Sequence, residues 1–501
     1  MRHLIIGLAS VLFFVATSQA QTPTFVVPGH EAKMDALNEL YELHKKQAFA
    51  NCTLWDPWLP HSTLWSSQKA RDQYRESFLR RRIDEEGYVA MQQHRGMAHS
   101  DGWPFPGWQQ STGKGWHFSI VGDGWAQQTL RLKQTENADD WIIEGAEILG
   151  IDPAVGLQLR ATSDTIVITT PPFRCGTIVA PFMRLEWAAK GLSPESSPSV
   201  SWQFEGESEW DASRRASFPA LSAEDGMRYA NVPMYKQLGY AGLLNRYRIT
   251  IDHATDAQVT IKSLITAIDS RHPITNALFL RGSSEYFDWT GDKDFLRANI
   301  SRMRKALRYA LDEFSVRKHH HVVVPWVGHD GRSGLVLSPE GKKNQRPGLG
   351  VGNNYWDLLP FGGHDALATI YLFDSLQRMI KLERAIKSHP EWNVPGDVPS
   401  DGAAPNLDEL QTLVNAIRKD FQSRFWDESK GRFVGWVDLQ GKAYDYGFTF
   451  VNLEAIHYGL ASPEQSRVIF EWLDGEREVE GDTSRGADIY HWRFAPRATT
   501  K

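Results

Sequence analysis

The feature that most limits how this chain can fold is one change of hydrophobic period near residue 266. Before it come short runs rich in β-branched residues: Trp141-Ile142-Ile143, Gly156-Leu157-Gln158-Leu159-Arg160, Thr165-Ile166-Val167-Ile168-Thr169 and Tyr247-Arg248-Ile249-Thr250-Ile251. Side chains alternate across a strand, so such runs offer one face to a core, and the turn residues between them close hairpins. No helix-length periodicity interrupts before Ala267, and Val200-Ser201-Trp202-Gln203-Phe204 adds an aromatic strand. Residues 117–265 are therefore expected to form a β-sandwich of ligand-binding-module type.

Beyond residue 266 the period lengthens. Phe295/Leu296, Ile300, Met303, Leu307, Leu311 and Phe314 recur at three- and four-residue steps behind Asp292, which stands as a cap. Leu407, Leu410, Val414, Ile417 and Phe421 repeat the stripe behind Asn406, with Glu409 placed for a capping box. Ser462-Pro463, with Gln465, opens a further helix that Gly475 closes. Helices near 273–290, 364–387 and 449–460 bring the expected total to about six, in pairs joined by long loops across 266–501.

Ahead of the strands, residues 1–20 read as a signal peptide. Arg2 and His3 precede an apolar run from Leu4 to Ala16, and Ser18-Gln19-Ala20 offers small residues at a cleavage site. The run is short for a bilayer span. A secreted or periplasmic protein is expected, without membrane attachment after cleavage. Residues 21–116 form an N-terminal helical and loop region, helical from Lys33 to about Arg82. The two cysteines, Cys52 and Cys175, permit a disulfide in an exported chain without requiring one.

Composition narrows the partner. Lys and Arg number 55 against 61 Asp and Glu, a net charge of −6, which gives no electrostatic case for a nucleic acid. Against that stand 19 Trp, 15 Tyr and 24 Phe. Several of the tryptophans, Trp103 and Trp108 among them, sit in Gly- and Pro-rich sequence where no regular packed face is available. Aromatic plates in loops suit ligands with an apolar face and a polar rim, as sugar rings have.

Three loop-rich stretches mix acids with aromatics. Tyr355-Trp356-Asp357-Leu358-Leu359-Pro360-Phe361-Gly362 leads to His364 and Asp365. Tyr444-Asp445-Tyr446-Gly447-Phe448 is the second, and the third runs from Glu480 through Asp482, Asp488 and His491 to Arg493. Together with Glu285-Tyr286-Phe287-Asp288-Trp289-Thr290-Gly291-Asp292, the Tyr355–Gly362 stretch and Gly481-Asp482-Thr483 resemble bacterial six-hairpin glycosidases over roughly residues 90–501. That resemblance implies a multidomain α and β protein, a β-sandwich followed by an (α/α)6 toroid. About six helices would make it an incomplete toroid, and a C-terminally truncated chain is the expectation.

Glycoside hydrolysis needs one carboxylic acid to protonate the leaving oxygen and a second carboxylate to activate water or attack the anomeric carbon. Asp357, between Trp356 and Leu358, fits a proton donor raised by apolar neighbours, followed by Asp445, Asp482 and Asp488. Trp103, Trp108, Tyr355, Trp356, His364, Asp365, Tyr446, His491 and Arg493 are candidate substrate-binding groups. Neither a cofactor nor a metal is expected, since His319-His320-His321 has no carboxylate or Cys at ligand spacing. Two alternatives stay open. One is a polysaccharide lyase, with Tyr446 or His491 as base and Arg493 neutralising a uronate; the other is a non-catalytic glycan-binding protein.

Overall fold

The computed structural model describes residues 24, 26–46, 68–81, 83, 86–89, 115–121, 133–177, 180–221, 226–267, 272–324, 335–337, 343–345, 362–396, 404–473 and 475–480. It divides into two compact units, one of residues 1–52 and 56–79, the other of 53–55 and 80–501. In the first, the described residues form α1 (Glu31–Lys46) and α2 (Gln68–Leu79). The segment proposed as a signal peptide lies outside the described residues, as does Cys52.

The second unit begins its regular structure with twelve strands: β1 (Gly115–His117), β2 (Ile142–Glu144), β3 (Ala146–Asp152), β4 (Gly156–Ala161), β5 (Ile166–Thr169), β6 (Cys175–Gly176), β7 (Phe182–Lys190), β8 (Ser199–Phe204), β9 (Arg215–Ser217), β10 (Arg228–Pro233), β11 (Leu243–Ile251) and β12 (Gln258–Ala267). They form two six-stranded sheets, one ordered β10-β7-β12-β4-β3 with β1 on β12, the other β2-β5-β11-β8-β9 with β6 on β11. Every pairing is antiparallel. The inward side chains of both sheets share one core, in which Trp187 of β7 and Trp202 of β8 are fully buried. Alternation of inward and outward residues is what lets two sheets enclose an apolar layer between them.

Helices follow: α3 (Thr275–Thr290), α4 (Lys293–Glu313), α5 (Val316–His319), α6 (Ala366–Ser388), α7 (Leu407–Arg424), α8 (Thr449–His457) and α9 (Pro463–Leu473). Local chemistry sets their ends. Gly291 closes α3 at φ +63°, a left-handed conformation that costs glycine little, and its N–H donates to Phe287 O. One residue on, Asp292 Oδ1 accepts from Phe295 N at 2.9 Å and opens α4. Asn406 caps α7 by accepting from Asp408 N and Glu409 N. The expected capping box is only half made there, because the Glu409 carboxylate pairs with Arg317 instead. At α9 the box is complete: Gln465 N donates to Ser462 Oγ at 3.1 Å, and Ser462 N donates to Gln465 Oε1 at 3.0 Å.

Packing arranges the long helices as successive hairpins. α3 packs against α4 and α6, α6 against α7 and α8, and α8 against α9. The first members of the three pairs, α3, α6 and α8, therefore form one row. α3 is buried on every side from Thr275 to Phe287. A small antiparallel sheet stands at the N-terminal ends of α6 and α8: Gly363–Asp365 lies between Val322–Val324 and Trp436–Val437, and the latter pairs with Ala443–Tyr444. The described residues thus form a mixed protein of antiparallel sheets and helical hairpins. No described helix is long and apolar enough to cross a membrane.

Candidate functional site

The row of α3, α6 and α8 carries an unusual number of buried ionisable groups. Arg281 and Glu285 are four residues apart on α3, and Asp374 and Arg378 are four apart on α6, so each pair meets on its own helix face. Arg281 Nε donates to Glu285 Oε1 at 3.0 Å, and Arg378 Nε donates to Asp374 Oδ2 at 2.8 Å. The pairs also interlock across the helices, with Arg378 Nη2 3.1 Å from Glu285 Oε1 and Arg281 Nε 3.9 Å from Asp374 Oδ2. Two cations and two anions so arranged sum to no net charge. That makes their joint burial tolerable, since each charge keeps hydrogen-bonded partners.

Next to this ladder stands a fifth ionisable group without such compensation. Glu454, on α8, accepts a hydrogen bond from Tyr371 Oη of α6 at 3.0 Å through Oε1. Its Oε2 is enclosed and has no hydrogen-bond partner among the described residues. Burial pushes the carboxyl up to about 7; Tyr371 and Arg281 pull downward and Asp374 adds to the rise. Burial likewise raises the hydroxyls of Tyr371 and Tyr458 above the usual phenol range. The Arg281 guanidinium lies over the Tyr458 ring at 5.3 Å. A carboxyl held near 7 keeps its proton through much of the neutral range, as a general acid requires. Glu454 is not among the candidates drawn from the sequence, because the groups that perturb it come from residues 281, 371 and 374.

The residues expected to carry chemistry fall in different places. Trp103, Trp108, Tyr355, Trp356, Asp357, Asp482, Asp488, His491 and Arg493 lie outside the described residues. Asp445 is described, with a side chain 3 % exposed. Its Oδ2 accepts from Lys430 Nζ and Arg432 Nε, each at 2.9 Å, and its Oδ1 from Gly447 N at 2.9 Å, so both oxygens are taken. Tyr446 is half exposed, with its ring 5.9 Å from Trp436. Asp365 is fully buried, and its Oδ1 accepts from Ala368 N at 2.9 Å as the N-cap of α6. Of the motif acids on α3 and after it, Asp292 is the cap described above and Asp288 pairs at the surface with Lys381.

His364 belongs to a second titratable group. Its Nδ1 lies 2.6 Å from His321 Nε2, and His321 Nδ1 lies 2.7 Å from Asp420 Oδ2. His321 is fully buried, whereas His364 is part-buried. Burial lowers His364 to about 4, helped by the nearby His321, Arg424 and His319 and opposed by Asp420. For Asp420, burial acts upward, but the His321 and Arg424 hydrogen bonds outweigh it and hold the carboxyl below its ordinary value. The run His319-His320-His321 splits in space, since His320 takes a left-handed conformation at the end of α5 and turns His321 inward. No group of three or more His, Cys, Asp or Glu suited to a metal ion occurs among the described residues.

No protein-family model matches the chain, and no curated protein matches it. Among solved structures, it is similar to a GH78 family rhamnosidase of Bacillus sp. GL1, at TM-score 0.28 and 10% identity over 66% of this chain. A rhamnosidase from Klebsiella oxytoca gives TM-score 0.24 and 10% identity over the same share, covering 76% of that chain. The low-affinity xylan binding module CBM86 from Roseburia intestinalis gives TM-score 0.19 and 16% identity over 26% of this chain and 89% of that one. The match spans 38% of the length of the Bacillus rhamnosidase. These are weak likenesses, and what the site can do rests on its own side chains.

Proposed function

We propose that this chain is an exported glycoside hydrolase built on a β-sandwich and an (α/α)6-type helical scaffold, with Glu454 as the proton donor. The observation that carries the reading is the Glu454 carboxyl, raised to about 7 beside Tyr371 with one unpartnered oxygen. An acid in that state can protonate a leaving glycosidic oxygen at neutral pH, and the neighbouring Arg281–Glu285–Asp374–Arg378 ladder fixes the walls around it. The partner carboxylate that activates water is assigned to Asp357, with Asp482 and Asp488 as the other candidates. Asp445, bound on both oxygens, instead braces the loop that presents Tyr446. Trp103, Trp108, Tyr355, Trp356, Tyr446, His491 and Arg493 are assigned to sugar subsites, and export rests on residues 1–20.

The test is release of reducing ends from a panel of neutral and acidic glycans by the full chain. Wild type should release them, whereas Glu454→Gln and Asp357→Asn, still folded by circular dichroism, should each be slower by about a hundredfold or more. Products absorbing as unsaturated uronates would replace this reading with a lyase. Glycan binding without release of any product would replace it with a binding protein.

A further inference from the structure

We infer that Asp420, His321 and His364 form a proton-accepting relay, in which His364 Nε2 takes a proton from a hydroxyl donor at the face bordered by α5 and the C-terminal turns of α7. The relay shares no residue with the Glu454 group and does not depend on the glycosidase reading.

The hydrogen bonds fix where the protons sit. A carboxylate oxygen only accepts, so His321 Nδ1 carries the hydrogen that bonds Asp420. The other nitrogen of a neutral His321, Nε2, is then an acceptor, and His364 Nδ1 must donate to it. His364 Nε2 is left with its lone pair and has no hydrogen-bond partner among the described residues. The separation of 2.6 Å between the two imidazole nitrogens is a hydrogen-bond length. A metal ion bound to both would need about 2 Å to each, so the pair is not a chelate.

The surroundings decide where an added proton comes to rest. His319 on α5, Arg424 on α7 and His321 itself lie beside His364 and oppose a charge on its ring, while Lys318 acts on His319. Asp420, whose second partner is Arg424, faces His321 directly. When an O–H donor gives its proton to His364 Nε2, the donor oxygen keeps the bonding electron pair. The His364 Nδ1 proton passes to His321 Nε2, and the positive charge settles on His321 against the Asp420 carboxylate. Burial of His321 keeps that ion pair out of water, where it is strongest. The three groups are 43 and 99 residues apart in sequence, and the strand Gly363–Asp365, paired with Val322–Val324, sets the register that joins them.

Two measurements on the full chain test this. Long-range proton–nitrogen spectra of histidine-labelled protein, with His364→Gln used for assignment, should show the wild-type His364 ring protonated at Nδ1 and bare at Nε2 at neutral pH. A ring protonated at Nε2 would overturn the relay, and the tautomer is read on the wild-type protein, the variant serving only to assign its signals. Diethyl pyrocarbonate, which acylates an unprotonated imidazole nitrogen, should label His364, and the label should fall in His321→Leu, which removes the acceptor that holds the His364 hydrogen on Nδ1. Equal labelling of His364 in wild type and in a folded His321→Leu would also overturn it.

Discussion

Replacing Glu454 by glutamine tests the physical basis of the site without needing a substrate. The carboxyl has an ordinary value of 4.5 and is pushed to about 7 in the fold, with burial as the largest cause. The sign follows directly. A folded value above the unfolded one means the folded chain holds the proton more tightly. Stability is therefore greatest below about 4.5 and falls as the pH rises towards 7, above which the loss is complete. At about 1.4 kcal/mol per tenfold change in proton affinity, the gap between 4.5 and about 7 corresponds to about 3 kcal/mol. Glutamine keeps the Oε1 acceptor for Tyr371 but cannot ionise, so it escapes that loss. Urea titrations followed by tryptophan fluorescence should find Glu454→Gln close to wild type near about pH 4 and more stable by about 3 kcal/mol near about pH 8. An unchanged difference across that range, or a larger advantage at low pH, would refute the assignment of a raised carboxyl.

Two other substitutions probe what holds the helical hairpins. Arg304 donates to both oxygens of Glu383 at 2.7 and 2.9 Å and also to Pro395 O and Gly396 O, with both side chains at most 5 % exposed. Arg304→Ala leaves a buried anion alone and should cost about 3–5 kcal/mol in denaturant titration, much of it recovered when Glu383 is also replaced by leucine. Asp365→Ala removes the buried cap of α6 and should cost about 1–2 kcal/mol, read as a lowered melting temperature.

The fold was legible where a local pattern and a tertiary need coincided. Val200-Ser201-Trp202-Gln203-Phe204 reads as a strand and is one, because its inward residues meet the opposite sheet. Asp292 and Ser462 with Gln465 read as helix starts, and a cap needs only its own next turn. Glu409 shows the limit of local reading: its spacing suits a capping box, yet Arg317 lies within reach, and a guanidinium offers a charged partner that the backbone N–H does not. The site was less legible for the same reason. Glu454 is unusual only because α3 and α6 bring Arg281, Tyr371 and Asp374 to it, and no spacing around residue 454 records that. His321 looked like one of three adjacent histidines until His320 turned it inward to Asp420, 99 residues away. Asp445 sat between two tyrosines in sequence, an apolar setting, but Lys430 and Arg432 reach it across the β-turn region that precedes α8.

Whether Glu454 donates the proton is read most directly from the pH dependence of glycan cleavage by the full chain and by Glu454→Gln. A proton donor must be protonated to act, so the wild-type rate should hold below about 7 and fall above it, with the midpoint set by Glu454. In the variant that limb should vanish together with most of the rate. Cleavage by Glu454→Gln at the wild-type rate, with the same falling limb, would show that Glu454 is not the proton donor.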